Sequence, residues 1–156
     1  MIQRLQSIYL AVTAILMVLP IVLVSSLVSI QTETGAYHLT PESIVFKNAG
    51  AVEKIMDSYP IAGAFVISLF LSIYAISQFK NRKFQIKLVR LATVLQLVIP
   101  ALVFVYANKM SALTENGIIS YNPILVLPLI AFVLYILAAR SIKKDDALVR
   151  SADRLR

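Results

Sequence analysis

Four long runs of mostly Leu, Ile, Val, Ala and Phe, at about 7–30, 59–79, 88–108 and 121–139, constrain this chain more than any other feature. Crossing a hydrocarbon core about 30 Å thick takes roughly 20 helical residues, and each run is long enough. None carries Asp, Glu, Lys, Arg or His in its middle. Lipid offers no water to an open sheet edge, so each run is expected to be a helix. The expected fold is an all-α membrane protein. Four transmembrane helices would occupy residues 1–139 as a bundle, with a small extracytoplasmic loop at 31–58 and a cytoplasmic C-terminal helix at 140–156.

A cleaved signal peptide is the competing reading of the first run, with "VSSLVS" supplying small residues. A signal core spans about 7 to 15 residues, much shorter than the stretch from Leu5 to Ile30. A hydrophobic content of 59% also favours a bilayer over water as the solvent.

The bases orient the chain. Arg4, then Lys80, Arg82, Lys83, Lys87 and Arg90, then Arg140, Lys143, Lys144, Arg150, Arg154 and Arg156 all fall on one side of the four-span layout. Lys47, Lys54 and Lys109 fall on the other. By the positive-inside rule, both termini and the second loop face the cytoplasm of a multi-pass inner-membrane protein. Tyr9, Tyr59, Tyr74, Tyr106, Tyr121 and Tyr135 lie toward span ends, where an amphipathic ring is favoured.

Loop 31–58 is mildly acidic, and "TGAYHL" and "SIVF" within it suit two short strands, while Thr40, Pro41 and Glu42 also suit the start of a helical turn. His38 is the sole histidine and cysteines are absent, so no metal ligand set or catalytic thiol is expected. No cofactor is expected either. Serine triads, HExxH, paired carboxylates and glycine-rich phosphate loops are all missing, so the chain is not expected to be an enzyme. An ion-coupled pump would need ionisable groups inside the membrane, and the spans offer none.

Inside the spans three prolines stand out. Pro20, Pro100 and Pro128 would lie roughly 18 to 20 Å from the cytoplasmic surface at 1.5 Å per residue, in one layer. Each removes an N–H, leaving the carbonyls of Leu16, Gln96 and Ile124 without their usual partners. Gln96 adds a side-chain amide at that depth. The layer is a candidate hinge or polar cavity; the plainer alternative is ordinary proline tolerance with a hydrogen-bonded glutamine. In the second span, Ala64, Ser68 and Ser72 form a small-residue stripe for close helix packing, within the bundle or against a partner helix.

The tail "RSIKKDDALVRSADRLR" places Arg140, Lys143, Lys144, Arg150 and Arg154 on one helical face of roughly 120°, at 100° per residue. Leu148, Ala152 and Leu155 share another face. A basic amphipathic helix suits an anionic leaflet, a protein partner or ribosomal RNA near a membrane insertion site. The opening "MIQRLQSIYL" and closing "KKDDALVRSADRLR" resemble an uncharacterised bacterial family of short, four-span inner-membrane proteins classed as a domain of unknown function. The resemblance covers essentially the whole chain. It implies the four-span layout and a tail that does more than signal topology, and it supplies no catalytic residues, cofactor or activity.

The expected function is therefore a non-enzymatic accessory or assembly subunit that docks to another membrane complex, such as protein insertion or export machinery. A small carrier or channel built on the proline layer is the alternative. The expected partners are membrane lipids, a membrane protein complex and, through the tail, the ribosome; DNA is not expected.

Overall fold

The apolar run that opens the chain does not stay helical to its end. A computed structural model describes residues 5–33, 35–48, 51–79, 81–114 and 117–154, with residues 149–154 as backbone. Helix α1, Leu5–Val22, stops well short of residue 30. The stretch "VSIQT" then alternates apolar and polar side chains, a period of two that suits a strand, and forms β1, Val28–Thr32.

The all-α expectation is overturned. Strands β2 (Gly35–Leu39), β3 (Ser43–Asn48) and β4 (Ala51–Asp57) follow β1, and β5 (Ile118–Tyr121) comes from the third loop. They make one five-stranded antiparallel sheet in the order β4-β3-β2-β1-β5. Two strands had been expected in loop 31–58; the loop holds most of four, and β5 reaches them from far along the chain. Thr40, Pro41 and Glu42 make the β2–β3 turn rather than a helical start. Thr40 Oγ1 accepts from the Ser43 amide at 3.0 Å, and the Pro41 carbonyl accepts from the Ala62 amide at 3.1 Å, capping the next helix.

Register gives the sheet two faces. Val28 sits opposite Leu39 and Tyr121, and Leu39 opposite Ile44; in the next row Ile30 meets Tyr37 and Ile119, and Tyr37 meets Phe46. Ser29, His38 and Ser120 point the other way. Leu27, just before β1, and Val28, Ile30, Leu39 and Ile44 on the inner face are fully buried. At 1.5–3 kcal/mol per buried side chain, these five contribute roughly 7 to 15 kcal/mol, an upper estimate.

Helices α2 (Tyr59–Ser77), α3 (Arg82–Ser111) and α4 (Leu127–Arg154) complete the chain. All four helices are long and apolar enough to cross a membrane, which marks a membrane protein by length and composition. α1 packs on α2 and α4, and α3 does the same, while the far end of α3 also meets β1 and β2. Ala107 and Met110, buried near that end, sit under the sheet.

Two residues join the third loop to the first. Asn122 donates from Nδ2 to the Ser26 carbonyl at 3.1 Å, while its Oδ1 accepts from the Ile124 amide at 3.0 Å and starts a 3-10 turn, Pro123–Val126. Gly117 lies so close to β1 that an added Cβ would overlap Ile30 Cγ2 and come within 3.3 Å of the Gln31 carbonyl. Gly117→Val should therefore force β5 off β1 and cost about 1–3 kcal/mol. Hydrogen exchange of the β5 amides in detergent micelles would register the loss; unchanged protection would refute the need for glycine.

Candidate functional site

Helices that pack in an apolar medium can keep polar side chains only where another helix supplies a partner. Each of the four helices here offers at least one such residue to a shared cluster, and α2 offers two. Ser72 Oγ and Tyr135 Oη are hydrogen-bonded at 2.5 Å, and Ser68 Oγ lies 3.3 Å from the same phenol. Gln96 donates from Nε2 to Ser68 Oγ at 2.5 Å, and Thr13 Oγ1 stands 3.4 Å from Ser72 Oγ. All five side chains are fully buried.

Surplus hydroxyl capacity is used locally. Thr13 donates to the Leu10 carbonyl at 2.8 Å, and Ser72 to the Ser68 carbonyl at 3.0 Å. The amides are less well served. Gln96 Oε1, Gln85 Oε1 and both amide atoms of Gln6 are buried with no partner among the described residues, although Gln85 Nε2 reaches the Ala75 carbonyl at 2.8 Å. Buried polar atoms in that state are where ordered water is expected to bind.

The structure sorts the residues singled out from sequence. Ala64, Ser68 and Ser72 face the helices of this chain, since all are buried, and two of them belong to the polar cluster. The prolines do not share one mid-span setting. Pro20 and Pro100 are interior to α1 and α3, Pro20 in the last turn, whereas Pro128 lies in the first turn of α4. The Ile124 carbonyl, which Pro128 would strand, accepts instead from the Leu127 amide. Tyr135 is no interface tyrosine: it is the largest fully buried side chain and the hub of the cluster.

Sequence reasoning missed Thr13, Tyr135, Gln6 and Gln85 as polar core. Gln6 lies one residue before the run drawn from 7 and Gln85 three before the run drawn from 88, so both fall outside the expected spans. A glutamine within a few residues of an apolar run is the available signal.

At the opposite end from the sheet, α4 continues unbroken from the apolar run to Arg154. Arg140, Lys143, Lys144 and Leu148 are exposed there, while Ile142 is buried. Arg82 at the start of α3 donates to the Asp145 carbonyl at 2.7 Å, tying the two helices. Arg150, Ala152 and Arg154 lie on the helical backbone of this segment, and Leu155 lies outside the described residues. On the sheet, His38 titrates below its ordinary value of 6.5, first because it is partly buried and second because Lys47 is positive nearby. Among the described residues no group of three His, Cys, Asp or Glu side chains could hold a metal ion.

The fold and cluster define a class: a membrane protein with four helices long and apolar enough to cross a bilayer, whose connections at one end merge into a single sheet. The chain belongs to the family described as domain of unknown function (DUF4293), whose model matches residues 2–155. No curated protein matches it.

Removing the hub should cost more than one average interhelical hydrogen bond. Tyr135→Phe is expected to destabilise the protein by about 1–2 kcal/mol, because the phenol meets both Ser68 and Ser72. A melting curve in mild detergent measures it, and a variant as stable as the natural chain would show that the phenol's bonds to Ser68 and Ser72 contribute nothing.

Proposed function

We propose that this protein is a non-enzymatic accessory or assembly subunit of the bacterial inner membrane that docks to another membrane complex, such as insertion or export machinery. One observation carries the reading: β1 pairs with β5 from Val28↔Tyr121 to Gln31↔Ile118. A carrier alternates access by rocking one part of its helices against another around a central site. Here the α1–α2 connection and the α3–α4 connection are stitched into one sheet, which opposes such rocking. The surfaces left for a partner are the exposed bases of α4 and the outer edge of β4, whose seven residues are all exposed. An unpaired strand edge offers main-chain donors and acceptors to a second chain.

In this reading the basic end lies in the cytoplasm with both termini, and the sheet lies outside, because Lys and Arg concentrate at the helix ends away from the sheet. The chain lacks cysteine, so single substitutions report cleanly. Asn48→Cys should react with an impermeant maleimide in intact spheroplasts, whereas Ala147→Cys should react only after lysis; the reverse pattern would invert the orientation.

The unpaired amide atoms of Gln6, Gln85 and Gln96 favour a second reading, a small carrier or channel with a hydrated polar interior. Purification of the full chain in mild detergent separates the two. The accessory reading expects a stoichiometric membrane partner that is retained in Gln96→Leu. A chain that comes through alone, with a solute flux in liposomes that Gln96→Leu abolishes, would reject it.

A further inference from the structure

Between α3 and α4, at the basic end, runs a groove of about 460 Å³. Three cations, Arg90, Arg140 and Lys143, stand around it, and Val94, Ile136 and Ala139 help line it. Its described lining holds no carboxylate. All three cations are exposed, and none forms an ion pair with a described residue.

The groove does not stop at the charged end. A second apolar groove shares Val94 and continues along α3 past Leu97, Val98, Ala101 and Leu102 to Val105. From Arg90 at the charged end to Val105 is about 22 Å along α3 at 1.5 Å per residue, within a hydrocarbon core about 30 Å thick. The surface therefore has three positive charges at one end and an apolar path that leads from them into the core.

We propose that this groove is a specific site for an anionic glycerophospholipid. Its phosphate would sit among Arg90, Arg140 and Lys143, and an acyl chain would lie along α3 from Val94 to Val105. Charge complementarity selects the occupant. A transmembrane helix of a partner protein could cover the apolar arm but would have to bring an anion to the level of three bases. A phospholipid carries its phosphate at that depth by construction. Arginine suits the role, since its fork can give two hydrogen bonds to one phosphate and its stem packs on apolar surface. The site needs only that the helices lie in a membrane, so it goes beyond the accessory role and stands or falls apart from it.

Native mass spectrometry of the full chain in mild detergent tests this with phosphatidylglycerol, phosphatidylcholine and glycerophosphate as probes. The natural chain should retain one phosphatidylglycerol in clear preference to phosphatidylcholine. R90Q/R140Q should lower that affinity about 25-fold, from about fivefold per base near an anionic headgroup. K83Q/K87Q removes the same charge from exposed positions at the same end and should leave it unchanged. Ala101→Trp fills the apolar arm and should lower retention with every base in place.

Equal retention of the two lipids by the natural chain would overturn the proposal without any variant. So would equal losses in the two charge variants, which would mean diffuse attraction rather than a site. Glycerophosphate that competes as well as phosphatidylglycerol, with no effect of Ala101→Trp, would mean a phosphate site without a lipid groove, and would also overturn it.

Discussion

The sheet end hangs on the pairing of β1 with β5. A helix that leaves the membrane strands backbone N–H and C=O groups at its end, and they need partners wherever water is kept away. Here the segments after α1 and α3 satisfy one another: β1 and β5 exchange ladder bonds, and the Leu27 carbonyl accepts from the Asn122 amide at 3.0 Å. That join lets Val28 and Ile30 turn inward over the end of α3. It also explains why α1 is only 18 residues long despite a longer apolar run. Further helix would have consumed the residues that the sheet needs.

The buried polar cluster acts differently. Interhelical hydrogen bonds in membranes average only about 0.6 kcal/mol, whereas a buried amide oxygen without a partner costs about 1–3 kcal/mol. The hydroxyl contacts and the orphaned Gln96 Oε1 therefore roughly cancel, and the cluster adds little net stability. What it adds is register, since Thr13, Ser68, Ser72, Gln96 and Tyr135 meet only when all four helices stand at one relative height. Between apolar faces, a one-turn slip of a helix would cost little; here it would strand several polar groups at once.

The spans were legible because length and apolarity report directly on the solvent. The sheet was largely hidden. In "VSIQT" the alternation was present, but Val and Ile also raise hydropathy, and counting apolar residues absorbed the strand into the first span. β5 is four residues, too short for a periodic signal, and its partner β1 lies far away in sequence. Such pairing depends on tertiary context more than on local preference. Tyr135 was misplaced for a related reason. It was measured against a span ending near 139, but α4 runs to Arg154, so the ring is interior to the helix. Pro128 looked like a hinge by position alone, whereas a first-turn proline breaks no helical bond that would otherwise exist.

Helix length decides where the charge must go. From the level of Gln96 and Tyr135 toward the basic end, α3 runs about 21 Å and α4 about 28 Å at 1.5 Å per residue. The described parts of α1 and α2 run only about 12 to 14 Å from the same level. Beyond that height only α3 and α4 continue among the described residues, and that pair must hold itself together. It does so with Ile142, fully buried, and with the bond from Arg82 to the Asp145 carbonyl. Arg90 and Arg140 stand about 8 to 9 Å from the polar level toward the basic end. Their long stems can carry each charge outward to the headgroups while lying on apolar surface. On stems of that length the bases of α3 and α4 can present cationic heads where phosphates are concentrated.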